Sequence, residues 1–233
     1  MDQNSKHEIN SSKISIDEMV ERIYAAVLEQ KLPPSTKLSE STLCESFGVG
    51  RMKVRQVLTL LSSQGIVDIK ANRGAFIACP DSRESKEVFG ARLALEPGML
   101  RQAVLVAKKE DFELLKEIIQ QENQARITGE RRELIRLSGE FHVQLAALTG
   151  NRVIERMLRE LVARTSLIVG MFGSSGEHNC PEDEHQKILT ALIEKKTDAA
   201  ADLVYQHLEH IEASLNLSSR TDQPFDVLSV LRG

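Results

Sequence analysis

The sequence predicts a mainly α-helical chain in two parts. The N-terminal part is a winged helix-turn-helix, α with a small β-hairpin wing. The C-terminal part is an all-α antiparallel helical bundle. Three observations carry this reading. Residues 40–78 hold two short amphipathic runs split by Gly48-Val49-Gly50 and followed at once by two brief apolar stretches. Cys79-Pro80-Asp81-Ser82 then interrupts the pattern. Beyond it, from about residue 85 to 217, apolar residues recur at helical spacing and no stretch reads convincingly as a strand.

Residues 1–13 are polar, lack the apolar core of a signal segment and are expected to be disordered. Ser15 with Glu18 three residues later makes a capping box. The helix it opens, Ile16 to about Gln30, places Met19, Val20, Ile23, Val27 and Leu28 on one stripe. Pro33-Pro34 breaks the chain. Thr36-Lys37-Leu38 reads as a short strand, and Ser39 can cap the next helix, about Glu40 to Phe47, which turns Leu43 and Phe47 to a core. Gly48 permits the positive-φ turn that ends it. A second helix runs from about Arg51 to Gln64 and stops at Gly65.

This second helix is the functional centre of the first part. At ~100° per residue, Val54, Val57, Leu58 and Leu61 share one face, Met52, Arg55, Gln56 and Thr59 the opposite one, with Arg51 and Lys53 on the flanks. A helix that is packed on one side and cationic toward its N-terminus suits the DNA major groove, where arginine bonds guanine O6 and N7 together. Ile66-Val67-Asp68-Ile69 and Ala75-Phe76-Ile77-Ala78 read as a hairpin joined by Ala71-Asn72-Arg73-Gly74, with Arg73 at the tip. On helix pattern alone these cations are equally well a solvated face; the hairpin with its basic turn favours double-stranded DNA as partner.

The totals are compatible with that. A net charge of −4 argues against a general nucleic-acid coat, yet the relevant charge is local: Arg51, Lys53, Arg55, Lys70 and Arg73 face only Glu45 and Asp68 between Ser41 and Cys79. No apolar run is long enough to span a membrane. Cys44, Cys79 and Cys180 lie far apart and suggest no disulfide framework, which fits a cytoplasmic location.

The domain boundaries read as 14–79 for the DNA-binding part, 80–84 for a linker, 85–217 for the all-helical part and 218–233 for a tail. Six helices are expected in the second part. Their markers are Val88 to Val104, broken near Pro97; Phe112 to Ile119; Leu134 to Leu148; Ile154 to Ile168, ending near Gly173; Ile188 to Ile193; and Ala199 to Ile211.

His142, His185 and His207 sit on three of these helices, each on or beside the apolar stripe. Singly, each is a hydrogen-bonded core residue. Together, three converging imidazoles suit zinc, nickel, copper or iron and leave an open position for water or a carboxylate. His178 and Cys180, in a Gly/Ser-rich loop, read as surface. Arg92 and Glu96 are one turn apart: either a simple helix ion pair or an arginine facing the bundle interior to meet an anionic effector. Arg164 and Ser138 are further effector candidates. A small metallohydrolase using the three histidines is the alternative function, but no acid stands at a recognisable general-base spacing and the DNA reader would be unexplained. A ligand-free DNA-architectural protein is a third reading.

Leu32-Pro33-Pro34-Ser35-Thr36-Lys37-Leu38-Ser39-Glu40, then Phe47 to Leu58, then Gly65 and Arg73-Gly74-Ala75, resemble the N-terminal domain of GntR-family transcription regulators over roughly residues 14–79. Pro34, Gly50, Met52-Lys53 and Gln56 depart from the family's usual wording, which changes the base-reading surface and not the fold. Arg92-x-x-x-Glu96-Pro97, Glu140-Phe141-His142, Thr149-Gly150-Asn151, Glu184-His185 and His207-Leu208 resemble the FCD effector domain of the FadR subfamily, over about residues 85–213. The resemblance implies a homodimeric regulator, most often a repressor, controlled by a small organic acid. It further implies a divalent metal, zinc or nickel foremost, on His142, His185 and His207 with an acidic fourth ligand. Ser138 stands where that acid is usual, with Asp183, Glu184 or Glu140 as substitutes.

Overall fold

The computed structural model describes residues 14–108, 110–173 and 183–217. The expectations for residues 1–13, for the tail 218–233 and for His178 and Cys180 lie outside the described residues.

In the N-terminal part, α1 (Ile16–Leu28) opens on the expected capping box: Ser15 Oγ accepts from the Glu18 amide at 3.0 Å, and the Ser15 amide donates back to Glu18 at 2.6 Å. After β1 (Lys37–Leu38) come α2 (Glu40–Phe47), α3 (Arg51–Ser63), β2 (Val67–Lys70) and β3 (Gly74–Ile77). Gly48, at φ 64, makes the left-handed turn between α2 and α3. The strands form one antiparallel sheet in the order β1-β3-β2, with Lys37 opposite Phe76 and Asp68 opposite the same residue. Met19, Ile23 and Val27 of α1 bury against Val54, Val57 and Leu61 of α3. Each such side chain contributes about 1.5–3 kcal/mol by leaving water.

The second part contains α4 (Ser82–Val106), α5 (Asp111–Thr128), α6 (Arg131–Ala147), α7 (Arg152–Phe172), α8 (Glu184–Ile193) and α9 (Thr197–Ala213). Two expectations change here. The helix after the boundary begins inside the expected linker, because Asp81 Oδ1 accepts from the Glu84 amide at 2.8 Å and caps the first turn. The break near Pro97 is also absent: α4 runs through it as 25 residues. Proline removes one backbone donor and crowds the turn before it. Here both helix halves are pinned, by buried Val88, Phe89 and Arg92 before it and Met99, Leu100 and Ala103 after it.

The two parts share a core. Leu28 and Val162 meet over Gly139, where an added Cβ would lie 2.9 Å from Val162 Cγ1. Tyr24 donates to the Arg159 carbonyl at 3.1 Å, and Arg159 pairs with Glu21.

Candidate DNA-reading face and imidazole site

The helical phase set by Val54, Val57, Leu58 and Leu61 leaves Arg51, Met52, Arg55, Gln56 and Thr59 exposed on α3. Lys53 is half-buried and donates to the Ile14 carbonyl, which ties it to the start of α1. Arg55 Nε lies 2.8 Å from Glu40 Oε1. Between β2 and β3 the chain turns at Asn72 (φ 57) and Gly74 (φ 97), leaving Arg73 exposed with its guanidinium 5.9 Å from the Phe76 ring centroid. Lys37, Arg55, Thr59, Arg73 and Gly74 line one groove. Helix α3 and the wing thus present their cations on the same side.

The imidazole site lies within the bundle. His142 on α6, His185 on α8 and His207 on α9 are each buried. Their Nε2 atoms converge: His142 to His207 at 3.1 Å and His185 to His207 at 3.2 Å. Each Nδ1 points the other way, to a glutamate: Glu96 for His142 at 2.7 Å, Glu122 for His185 at 2.7 Å and Glu184 for His207 at 2.8 Å. A carboxylate only accepts, so each Nδ1 carries a proton and each ring turns its Nε2 to the common point.

Electrostatics keep this arrangement. Burial pushes the Glu96 carboxyl up, but Arg92 and His142 outweigh it and hold it down to about 2. Burial also disfavours charge on His142, more than Glu96 favours it, and pushes that imidazole down to about 3. Burial raises Glu122 and Glu184 as well; His185 brings Glu122 below its ordinary value, and hydrogen bonds from His207 and His210 do the same for Glu184.

The donor set fits a divalent ion. Two neutral imidazoles with protons on Nδ1 repel when their Nε2 atoms meet, so each short contact calls for a proton or a cation between the rings. A tetrahedral ion with bonds of ~2.0–2.1 Å sets its nitrogens ~3.3 Å apart, close to the distances here. Carboxylates behind ligating histidines fix the tautomer and raise ligand basicity.

Arg92 is buried on α4. Its Nε donates to Glu96 Oε1 at 2.6 Å and its Nη1 to Thr165 Oγ1 at 3.3 Å, while Nη2 is buried with no hydrogen-bond partner among the described residues. Arg92 therefore shares Glu96 with His142. Arg164 lies elsewhere: its guanidinium covers Gly65, where a Cβ would be 1.6 Å from Nη2, and its Nη1 is 3.8 Å from Glu84. The reason is helical phase, since Arg164 precedes inward-facing Thr165 by ~100°. Ser138 is half-buried one turn before His142. Glu184 stands behind His207 rather than among the converging nitrogens, and Glu140 accepts from Gln144.

Sequence reading missed the carboxylate ring. Glu96 appeared as a partner for Arg92 and Glu184 as a substitute ligand, neither as a histidine's support, and Glu122 not at all. The available signal was burial: Glu122 falls at helical spacing with Leu115, Ile118, Ile119 and Ala125, all buried in α5.

A winged helix-turn-helix joined to a helical domain is the layout of a DNA-binding regulator. The chain belongs to the GntR family of bacterial regulatory proteins: that family's profile matches residues 16–77, and the FCD domain matches residues 87–210. It is 27% identical over 214 residues to the Uxu operon regulator of Haemophilus influenzae, covering 84% of this chain and 78% of that protein. It is 26% identical over 192 residues to the transcriptional repressor RspR of Escherichia coli, covering 79% and 81%. Among solved structures, McbR/YncC of E. coli superposes with a TM-score of 0.75 at 17% identity, covering 86% of this chain and 96% of that one. A GntR regulator from Rhodococcus sp. RHA1 gives 0.72 at 21% identity, covering 85% and 95%. The chain is a transcription regulator that binds DNA, not an enzyme, and its relatives lend the hydrolase alternative no support. Among the described residues no helix is long and apolar enough to cross a membrane.

Proposed function

We propose that the protein is a cytoplasmic homodimeric repressor whose two winged domains read a near-palindromic operator and whose affinity is set by a small organic acid. His142, His185 and His207 would hold a divalent metal, zinc or nickel, and a bound metal supplies a Lewis-acidic position for a carboxylate. Arg92 would meet the same anion through Nη2. The observation that carries this reading is the set of three Nδ1–carboxylate pairs, which spends one nitrogen of each ring and turns the others to one point. The buried, unbonded Nη2 of Arg92 supports an anionic ligand, because an unpaired buried donor costs about 1–3 kcal/mol. The repressor named among the relatives supports the sign of regulation. Arg51, Met52, Arg55, Gln56 and Thr59 would read bases, with Lys53 bracing the helix and Arg73 and Gly74 forming the wing contact.

Native mass spectrometry and zinc titration test this together. The expected result is a dimer that takes one zinc per subunit, and a His185→Ala/His207→Ala variant that loses the metal yet still shifts DNA. A folded dimer that takes no zinc or nickel at three histidines would overturn the metal part. A monomer at DNA-binding concentrations would overturn the dimer.

A further inference from the structure

We propose that one turn of α7, residues 164–166, transmits the state of the imidazole site to the recognition helix, with Thr165 and Arg164 as the positioning residues. The inference rests on the reading of the three histidines as the effector site. On the inner side the bonds are continuous. His142 Nδ1 meets Glu96 Oε2 at 2.7 Å, Arg92 Nε meets Glu96 Oε1 at 2.6 Å, and Arg92 Nη1 reaches Thr165 Oγ1 at 3.3 Å. Thr165 Oγ1 in turn donates to the Leu161 carbonyl at 2.9 Å, which directs its lone pairs toward Arg92.

The flanking residues face the DNA-binding part. Successive helical side chains diverge by ~100°, so Arg164 and Ser166 point to either side of Thr165. The Arg164 guanidinium lies over Gly65, the φ 68 residue that closes α3, whose amide donates to the Ser62 carbonyl at 3.0 Å. Arg164 Nε is buried without a hydrogen-bond partner among the described residues, and close packing on that turn, with Glu84 at 3.8 Å, holds it. Ser166 Oγ donates to the Leu28 carbonyl at 3.1 Å, and the Ser166 carbonyl accepts from Gln30 Nε2 at 3.3 Å, at the end of α1. Gln30 holds a φ of 53, and Gly170 leaves room for it: a Cβ there would lie 2.9 Å from its Nε2.

A ligand that captures Arg92 Nη2, or a metal on His142 Nε2 that tightens the His142–Glu96 bond, shifts the guanidinium that Thr165 accepts from. Any turn of α7 that follows is felt on two anchors, the end of α3 and the end of α1. Coupling of this kind needs a contiguous element that both sites bias, and residues 164–166 touch both.

Hydrogen exchange on the full-length protein tests this, with zinc ions alone as the probe. Without metal, Thr165→Val should speed exchange about fivefold at residues 62–66 and 26–30, the size expected from losing one buried hydrogen bond. Thr165→Ser should restore the wild-type rates. A merely structural hydroxyl would alter only α4 and α7, and that outcome overturns the proposal. With zinc, the wild type should slow in α6 and α9 and change at 62–66, and Arg164→Ala should keep the first effect and lose the second. Persistence of both in Arg164→Ala also overturns it. If zinc leaves α6 and α9 unaffected, the metal reading fails by itself, and the metal-free Thr165 comparison still decides the coupling.

Discussion

Glu40, the first residue of α2, holds Arg55 of α3 by a 2.8 Å bond from Nε to Oε1, across the turn that joins the two helices. The contact leaves the rest of the guanidinium exposed and limits its directions. The side chain proposed to read bases is thereby partly oriented before DNA arrives.

Arg51→Ala and Arg55→Ala should each remove operator binding with unchanged circular dichroism, the loss being on the order of tenfold or more per half-site. Glu40→Gln should act differently. It removes a negative charge near phosphates, so random DNA binds more tightly, while the ratio of operator to random affinity falls. Gel shifts at fixed salt on a duplex selected from a random pool check both. Unchanged operator affinity in the arginine variants would remove α3 from the recognition role.

Arg73 stands at the wing tip and should contact phosphate or the minor groove. Arg73→Ala is expected to weaken operator and random DNA alike and to lower the salt slope by about one per lost phosphate contact. A loss confined to the operator would mean that Arg73 reads bases.

Acid should destabilise the fold in a defined window. His142 is held down to about 3 from its ordinary 6.5 by burial, so below that ordinary value the unfolded chain takes up a proton that the folded chain refuses. Its contribution is complete above pH 6.5 and declines as pH falls toward 3. Glu96, held down to about 2 from 4.5, adds a loss of the same sign from 4.5 downward. Urea midpoints should therefore fall steadily on acidification from neutral pH. A midpoint that stays level until pH 4 would show that His142 is not held neutral.

Gly65→Ala should cost about 1–2 kcal/mol from placing a side chain at positive φ. It should also expel the flexible Arg164 guanidinium from the turn. Because both changes then break one contact, Gly65→Ala/Arg164→Ala should be no more than marginally less stable than Gly65→Ala. Additive losses in urea unfolding would show that the two residues are independent.

The elements fixed by neighbours in sequence were legible. Ser15 with Glu18, Ser39, Gly48 and the stripe through Val54, Val57 and Leu61 all act within a few residues, so helix starts, the turn and the buried face of α3 followed from spacing. The three histidines could be read for the same reason, each lying beside apolar residues of its own helix. What could not be read depends on contacts across the fold. Glu122 becomes a partner of His185 from 63 positions away. Arg164 shares its helix with inward residues yet reaches Gly65. Pro97 breaks an isolated helix, but packing on both sides of it outweighs the lost hydrogen bond.

The ring of glutamates behind the histidines also sets a charge balance. Glu96, Glu122 and Glu184 bring three negative charges, and Arg92 with Arg126, 3.8 Å from Glu122, returns two positive ones. Imidazoles that hold a metal add none, so these side chains alone sum to one net negative charge in a medium that penalises any excess. A dication converts this to one net positive charge, which a single carboxylate cancels. A monoanion would leave the bundle interior neutral and a dianion would not, so valence itself would sort the acids that enter.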